Sequence, residues 1–295
     1  MTDAPPPLRR PATARPRRGG PADPEGAGHG EPEPAPPDGA EIEAIEHQLT
    51  ELTAMAGATI EAAPELGCRL CRWPGRGASA SHAVEPRWSA SGWQAAAEAL
   101  AAHQLAAGEL PALALLEASA QPAGLAERLE GAGWVRVARE VVLWTRRAAI
   151  VPHLDPHLRI ESVTPARAAT YEAVERAIFG LAPREAEDRR AALERGLAEA
   201  RLRAYLVRLD GEPIATARLI PGSGVAALQG VGVVPARRRQ GYGALITTIA
   251  TRAGLATGHR LVWLAADPDD AAAQALYAGL DYRPFSAWDR LLRPA

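Results

Sequence analysis

The chain has no lysine: all 33 of its basic residues are arginine. That absence excludes an internal Schiff-base lysine and every lysine modification. Cysteine is nearly absent as well, with 2 in 295 residues. Two cysteines cannot build a disulfide framework, and with the lack of a secretory-type apolar segment they favour a cytoplasmic location. No apolar run reaches the roughly 18 residues that a membrane-crossing helix needs. Excess charge of one sign is missing too: the formal net charge is −2, which argues against a general binder of nucleic acid or of anionic membranes.

What the chain does have is hydrophobic residues, 47% of the total, in a length sufficient for about two domains. The division expected is a Pro-, Ala-, Gly- and Arg-rich tail over 1–38, a first folded region over 40–148 and a second over 155–295. The tail is too poor in large apolar side chains to offset chain entropy and reads as disordered. In the first region the expected elements are a helix from Glu41 to Met55, a strand from Leu66 to Trp73 and a helix capped by Ser91. A buried strand from Ala112 to Leu116, a helix near 124–132 and a valine-rich strand from Trp134 to Thr145 follow. In the second, Leu158–Val163 reads as a strand, followed by helices near 165–178 and 183–199. A hairpin turning at Asp210-Gly211 and a strand from Ala226 to Val234 come next. A helix after Gly241, a short strand from Leu261 to Ala265, a helix capped by Asp267 and a last strand over Tyr282–Leu292 complete the region.

The most informative segment is Arg237-Arg238-Arg239-Gln240-Gly241-Tyr242-Gly243-Ala244. It stands between an apolar strand and an apolar helix. Amides at a helix start point outward and carry partial positive charge, and glycine lets the main chain approach a ligand closely. Strand, basic glycine loop and helix in that order make a diphosphate cradle. A dinucleotide-binding Gly-x-Gly-x-x-Gly turn is not present, since Ile246 stands where its third glycine would fall. Around Arg128-Leu129-Glu130-Gly131-Ala132-Gly133-Trp134 the first region parallels Leu276-Tyr277-Ala278-Gly279-Leu280-Asp281-Tyr282 of the second, which suggests two distant copies. Three other features are set aside. Cys68 and Cys71 lack the second half of a zinc site, and a three-residue offset in a strand sends them to opposite faces. His153 and His157 lie among prolines, off any helix. Trp73, Trp88, Trp93, Trp134 and Trp144 have core packing as their default.

Arg238-Arg239-Gln240-Gly241-Tyr242-Gly243 fits the phosphate-loop pattern Gln/Arg-x-x-Gly-x-Gly/Ala of the GNAT acetyltransferases. Asp270-Ala271-Ala272-Ala273-Gln274-Ala275-Leu276-Tyr277 fits that family's later Asn-x-x-Ala-x-x-Leu-Tyr helix except at its first residue. Over 155–295 the chain therefore resembles that family, and as a whole it is similar to tandem GNAT proteins with a degenerate first half. The resemblance implies an α/β (α+β) fold with a mixed, mostly antiparallel sheet flanked by helices. It implies acetyl-CoA as co-substrate and no metal. Main-chain groups from Arg239 to Ala244 would hold the diphosphate, with Arg238 or Arg239 adding charge. Val231 and Val233 would present main-chain groups to the pantetheine arm, and Gln229 would orient the acceptor. Tyr277 would donate a proton to the departing thiolate. Asp270 stands where relatives have an asparagine near the cofactor, although helix capping explains it as well.

The general base is not apparent, because Ala227 and Ala265 occupy the positions where relatives place a glutamate. A water chain, or an acid on the helices over 165–199 such as Glu175 or Glu187, would serve instead, and an acceptor arriving neutral would need no base. Alternation places Gln229, Ala227, Val231 and Val233 on one strand face. The expected activity is acetyl transfer to a small amine or a peptide N-terminus, with neither nucleic acid nor membrane as partner. A non-catalytic acyl-CoA-binding sensor or assembly module and a transferase for another acyl group are the alternatives.

Overall fold

The computed structural model describes residues 33–74, 80–150 and 155–294. Most of the expected 1–38 tail, and His153, lie outside them. The described chain opens on a capped helix. Asp38 accepts from the Glu41 amide and Glu41 from the Asp38 amide, both at 2.9 Å, starting α1 (Gly39–Met55). Then follow β1 (Thr59–Ala63), β2 (Cys68–Arg72), β3 (His82–Val84), α2 (Trp93–Ala106), β4 (Ala112–Leu116), α3 (Leu125–Gly131) and β5 (Val135–Thr145). The second half comprises β6 (Leu158–Ser162), α4 (Ala168–Phe179), α5 (Pro183–Ala198), β7 (Arg203–Leu209), β8 (Glu212–Pro221), β9 (Val225–Val233), α6 (Tyr242–Ala256), β10 (Leu261–Ala266), α7 (Ala271–Ala278) and β11 (Arg283–Leu292).

All these strands form one 11-stranded sheet in the order β1-β2-β3-β4-β11-β5-β10-β9-β8-β7-β6. Neighbours are antiparallel except β3 with β4 and β9 with β10. The succession β1-β2-β3-α2-β4-α3-β5 repeats as β7-β8-β9-α6-β10-α7-β11, with the same parallel and antiparallel pairings. The parallel motifs end alike: Trp134 donates its amide to Leu129 O, and Tyr282 donates its own to Tyr277 O, each at 3.0 Å.

The last strand of each half crosses to the other. β5 lies between β10 and β11, and β11 lies between β4 and β5. Glu140 and Trp288, six residues past Trp134 and Tyr282, are directly opposite each other. This exchange places a strand of the first half against the end of β10, where Ala265 faces Val142 and Ala266 faces Val141.

Helices cover both faces. On one, Ile45 and Leu49 of α1, Tyr171 and Val174 of α4 and Leu193 of α5 pack on Leu116, Val142, Ala227 and Trp263. On the other, Ile246 and Ala250 of α6 pack on Leu228, Val262 and Leu264, while Leu100, Leu125 and Leu129 of α2 and α3 pack on Leu113, Leu115 and Leu291. Helix α1 also bridges the halves. Gln48 donates to Ile220 O at 2.7 Å and accepts from the Trp263 indole at 2.7 Å, so both ends of a buried amide are satisfied.

Several elements differ from expectation. The short strands β1 and β3 have too little apolar pattern to register as strands. Helix α2 starts at Trp93 with Gly92 in the cap position, one residue after Ser91. Helix α7 starts at Ala271 with Asp270 as its cap, while Asp267 accepts from the Asp269 amide at 2.8 Å in a local turn. The hairpin turn is as read: Asp210 and Gly211 have φ of 50° and 83°, the pairing of positive values that matches strand twist.

Candidate functional site

The strands β9 and β10 are paired only at Val225–Leu261, Ala226–Val262 and Ala227–Trp263. Beyond these residues the two strands part. β9 then carries a bulge: Thr216 pairs with Gly232 and Arg218 with Gln229, leaving one extra residue on β9. Gly230 takes φ 59° there, which only glycine adopts at little cost. The bulge reverses the alternation that was expected. Ala227 packs on the α1/α4 side, but Val231 and Val233 pack on the α6 side, so Gln229 and the two valines do not share a face. A period of two holds only through an unbroken ladder.

Directly under the bulge Glu175 and Arg218 form a buried ion pair, with the guanidinium 5.6 Å from the centre of the Tyr171 ring. A Cβ on Gly230 would come within 2.9 Å of the Glu175 carboxylate. Burial, opposed in part by Arg218, raises the Tyr171 pKa. Glu175 is thus tied to arginine and is not available as a base. Glu187 is exposed on α5 and is not among the residues that line the cavity described below.

After β9 a 3-10 turn over Pro235–Arg237 leads to the basic loop. Arg238 turns inward: its Nε donates to Val233 O and its Nη2 to Ile178 O, both at 3.1 Å. It ties the end of β9 to the C-terminal carbonyls of α4. Arg239 is exposed, and its side chain has no hydrogen bond or ion pair among the described residues. Arg239 and Gly241 both take left-handed conformations, φ 63° and 85°. The first helical bond runs from Leu245 N to Gly241 O at 3.0 Å. Among the described residues the six amides from Arg239 to Ala244 have no acceptor. A Cβ on Gly241 would meet nothing within 4 Å. Gln240 is exposed and Tyr242 packs partly into the core. The loop is a run of outward-pointing donors at a helix start, the arrangement that attracts anions.

A cavity of about 560 Å³ opens beside the parted strands. Gln229, Gly230 and Val231 of β9, Ala265 of β10, Trp263, and Tyr277 of α7 line it. Leu49, Leu52 and Met55 of α1, Trp73 after β2, and Glu185, Asp188 and Arg189 of α5 complete much of the wall. Tyr277 is buried, and burial, reinforced by the charge of Asp270, pushes its pKa up to about 12. The phenol is therefore protonated throughout the neutral range, and it has no hydrogen bond among the described residues. Its ring centre is 5.8 Å from that of Tyr282. Asp270 accepts from Ala272 N at 3.1 Å and Ala273 N at 2.9 Å. Its carboxylate fixes the start of the helix that bears Tyr277.

Among the cavity residues that the sequence reading did not single out is Glu140 on β5. It belongs to the first half and reaches the cavity only through the strand exchange. The residue is exposed, opening to the cavity; partial desolvation, followed by the charge of Asp267, raises its pKa. The repeat offset from Trp134 to Tyr282 was the available signal, but it marks equivalence between strands and not their exchange.

Cys68 and Cys71 are free and buried in separate clusters, and burial pushes each thiol up to about 12. Trp88, Trp93 and Trp134 are core residues. Among the described residues no cluster of histidine, cysteine or carboxylate is placed to hold a metal, and no helix is long and apolar enough to cross a membrane.

Residues 167–282 match the model of the Acetyltransferase (GNAT) family. A solved structure of a GCN5-related N-acetyltransferase from Kribbella flavida is 25% identical, covers 86% of this chain and 94% of its own, and superposes with a TM-score of 0.59. A GCN5-related N-acetyltransferase from Sphaerobacter thermophilus, 17% identical, covers 88% of this chain and 95% of its own at a TM-score of 0.57. A tandem GNAT protein from the clavulanic acid biosynthesis pathway, also 17% identical, covers 77% of this chain and 79% of its own at 0.56; these last two share the fold. No curated protein sequence matches the chain. Residues 167–282 thus form a domain of the GNAT family, and the chain has the fold of GNAT-type acetyltransferases.

Proposed function

We propose that the second half moves an acetyl group from acetyl-CoA to a primary amine by direct attack in a ternary complex. The observation that carries this reading is the run of six unpartnered amides, Arg239 to Ala244, placed at the start of α6 after the strand that parts from β10. The diphosphate of CoA would lie on those amides, beside Gln240 and Gly241, with the Arg239 guanidinium adding a charge-assisted contact. Arg238 would act through position, since its donors already hold Val233 and Ile178. The edge of β9 that β10 leaves, at Val231 and at the Val233 amide, would hydrogen-bond the pantetheine arm like an added strand. An amide on the same edge would stabilise the thioester oxygen as charge develops on it.

The acetyl end would then reach the cavity, where Gln229 would orient the amine and Tyr277 would protonate the departing thiolate. Asp270 would serve this site as the cap of α7. The acceptor would be a small amine or an exposed peptide N-terminus, entering between α1 and α5. Release of CoA from acetyl-CoA over a panel of amines tests the reading. Amine-dependent release that drops in Tyr277→Phe supports it. Tight acetyl-CoA binding with no release on any amine would instead support a sensor.

A further inference from the structure

We infer that Glu140, a residue of the first half, is the proton acceptor for the amine in the active site of the second; this rests on the transfer reading above. Glu140 lines the same cavity as Gln229, Val231, Ala265 and Tyr277. On β5 it stands one residue from Val141, which pairs with Ala266 at the end of β10. It shares a sheet face with Val142, two residues on, and hence with Ala227 and Trp263.

The other cavity acids are engaged. Glu185 pairs with Arg189 at 3.0 Å, and Asp188 has a partner of its own. Glu140 has no ion pair or hydrogen bond among the described residues. The charged and titratable groups around it are Asp267 after β10, Tyr277 on α7, Arg218 on β8 and Glu185, Asp188 and Arg189 on α5. Arg218 is held by Glu175 and Arg189 by Glu185, so no arginine among them neutralises Glu140. A carboxylate that is open to the cavity, uncompensated and partly desolvated is a stronger base than one in water.

The proposed step balances as follows. Glu140 takes one proton from the substrate ammonium. The amine lone pair forms the C–N bond while the carbonyl π pair moves to oxygen. The pair returns, the C–S bond breaks, and Tyr277 gives its proton to sulfur. The second nitrogen proton restores the phenol, and Glu140 releases its own to solvent. The products are an amide, CoA thiol and one proton.

The test uses the full chain, the variants Glu140→Gln and Glu140→Asp, and two probe amines: ethylamine, protonated at neutral pH, and hydroxylamine, uncharged there. Glu140→Gln should lower kcat with ethylamine at least about a hundredfold while its calorimetric affinity for acetyl-CoA stays that of the wild type. Glu140→Asp should recover part of that loss. With hydroxylamine the loss should shrink to less than tenfold, and the acidic limb of the kcat/KM profile should vanish in Glu140→Gln. An unchanged kcat and acidic limb in Glu140→Gln, with wild-type transfer intact, would overturn this assignment alone. A wild type that binds acetyl-CoA but transfers to neither probe nor any panel amine overturns it together with the transfer reading.

Discussion

The two halves of the sheet repeat one succession of elements, yet they treat the turn after the third strand of the repeat in opposite ways. In the second half, the turn from β9 to α6 leaves its amides without acceptors and its glycine open to space. In the first half, the turn from β3 to α2 is closed on itself. Arg87 donates its amide to Gly67 O at 2.8 Å and Trp88 to Gln121 O at 3.3 Å. Gly92 donates to the Ser89 hydroxyl at 2.9 Å. The Arg87 guanidinium is held by buried Glu46, and the Trp88 indole is buried and donates to Leu66 O at 2.8 Å. One turn is built as a packed wall, the other as a cradle. The same scaffold serves both because the helix start is available in each, and side chains decide whether the chain or a ligand fills it.

The exchanged strands sharpen the contrast. β5 carries Glu140 to the cavity of the second half, where it has no arginine partner. β11 carries Asp289 into the first half, where it is fully buried and 3.5 Å from both Arg136 and Arg139. At the end of the following helix, Leu129 packs in the core of the first half while Tyr277 faces the cavity of the second.

That contrast can be broken by experiment. The largest effect is expected from Trp88→Ala. Emptying a buried indole should cost about 3–5 kcal/mol of stability, read by denaturant unfolding, with acetyl-CoA affinity unchanged in the folded protein. Weakened cofactor binding would mean that the closed turn takes part in the site. Next comes Tyr277→Phe. The phenol has no hydrogen bond to lose among the described residues, so Tm should stay put while kcat falls about a hundredfold. A fall in Tm without a fall in kcat would return Tyr277 to packing.

The smallest effect concerns Asp289. Burial, against the pull of Arg136 and Arg139, pushes its pKa up to about 6. A raised carboxylate pKa favours the folded state while the group stays protonated. Its contribution is complete below an unfolded value of about 3.9 and is lost as pH rises to about 6. Unfolding at a series of pH values should show this decline, and Asp289→Asn should flatten it. An undiminished slope in the variant would assign the decline to another group.

How much of this was legible depends on how local the determinants are. The strand, glycine turn and helix around Gly241 were readable because they are consecutive, each with a propensity of its own. The helix that bears Tyr277 was readable through a second local motif. The bulge at Gly230 was not, because it arises from how β8 and β9 pair, and without it Gln229 and Val231 appear to share a face. The starts of α2 and α7 shifted by one to a few residues because Ser91 and Asp267 compete with nearby turn-forming neighbours. Glu140 was least legible of all. Its place at the cavity depends on β5 leaving its own half, a tertiary event that no pattern within Val135–Thr145 records.

The central claim is that one turn of the two holds acetyl-CoA. Calorimetric titration of the full chain with acetyl-CoA, beside Gly241→Val, tests it most directly. A branched side chain at φ 85° is strained and crowds the open donors. The account predicts a single site per chain in the wild type and at least a tenfold weaker affinity in the variant. Two sites, or an affinity untouched by the substitution, would contradict it.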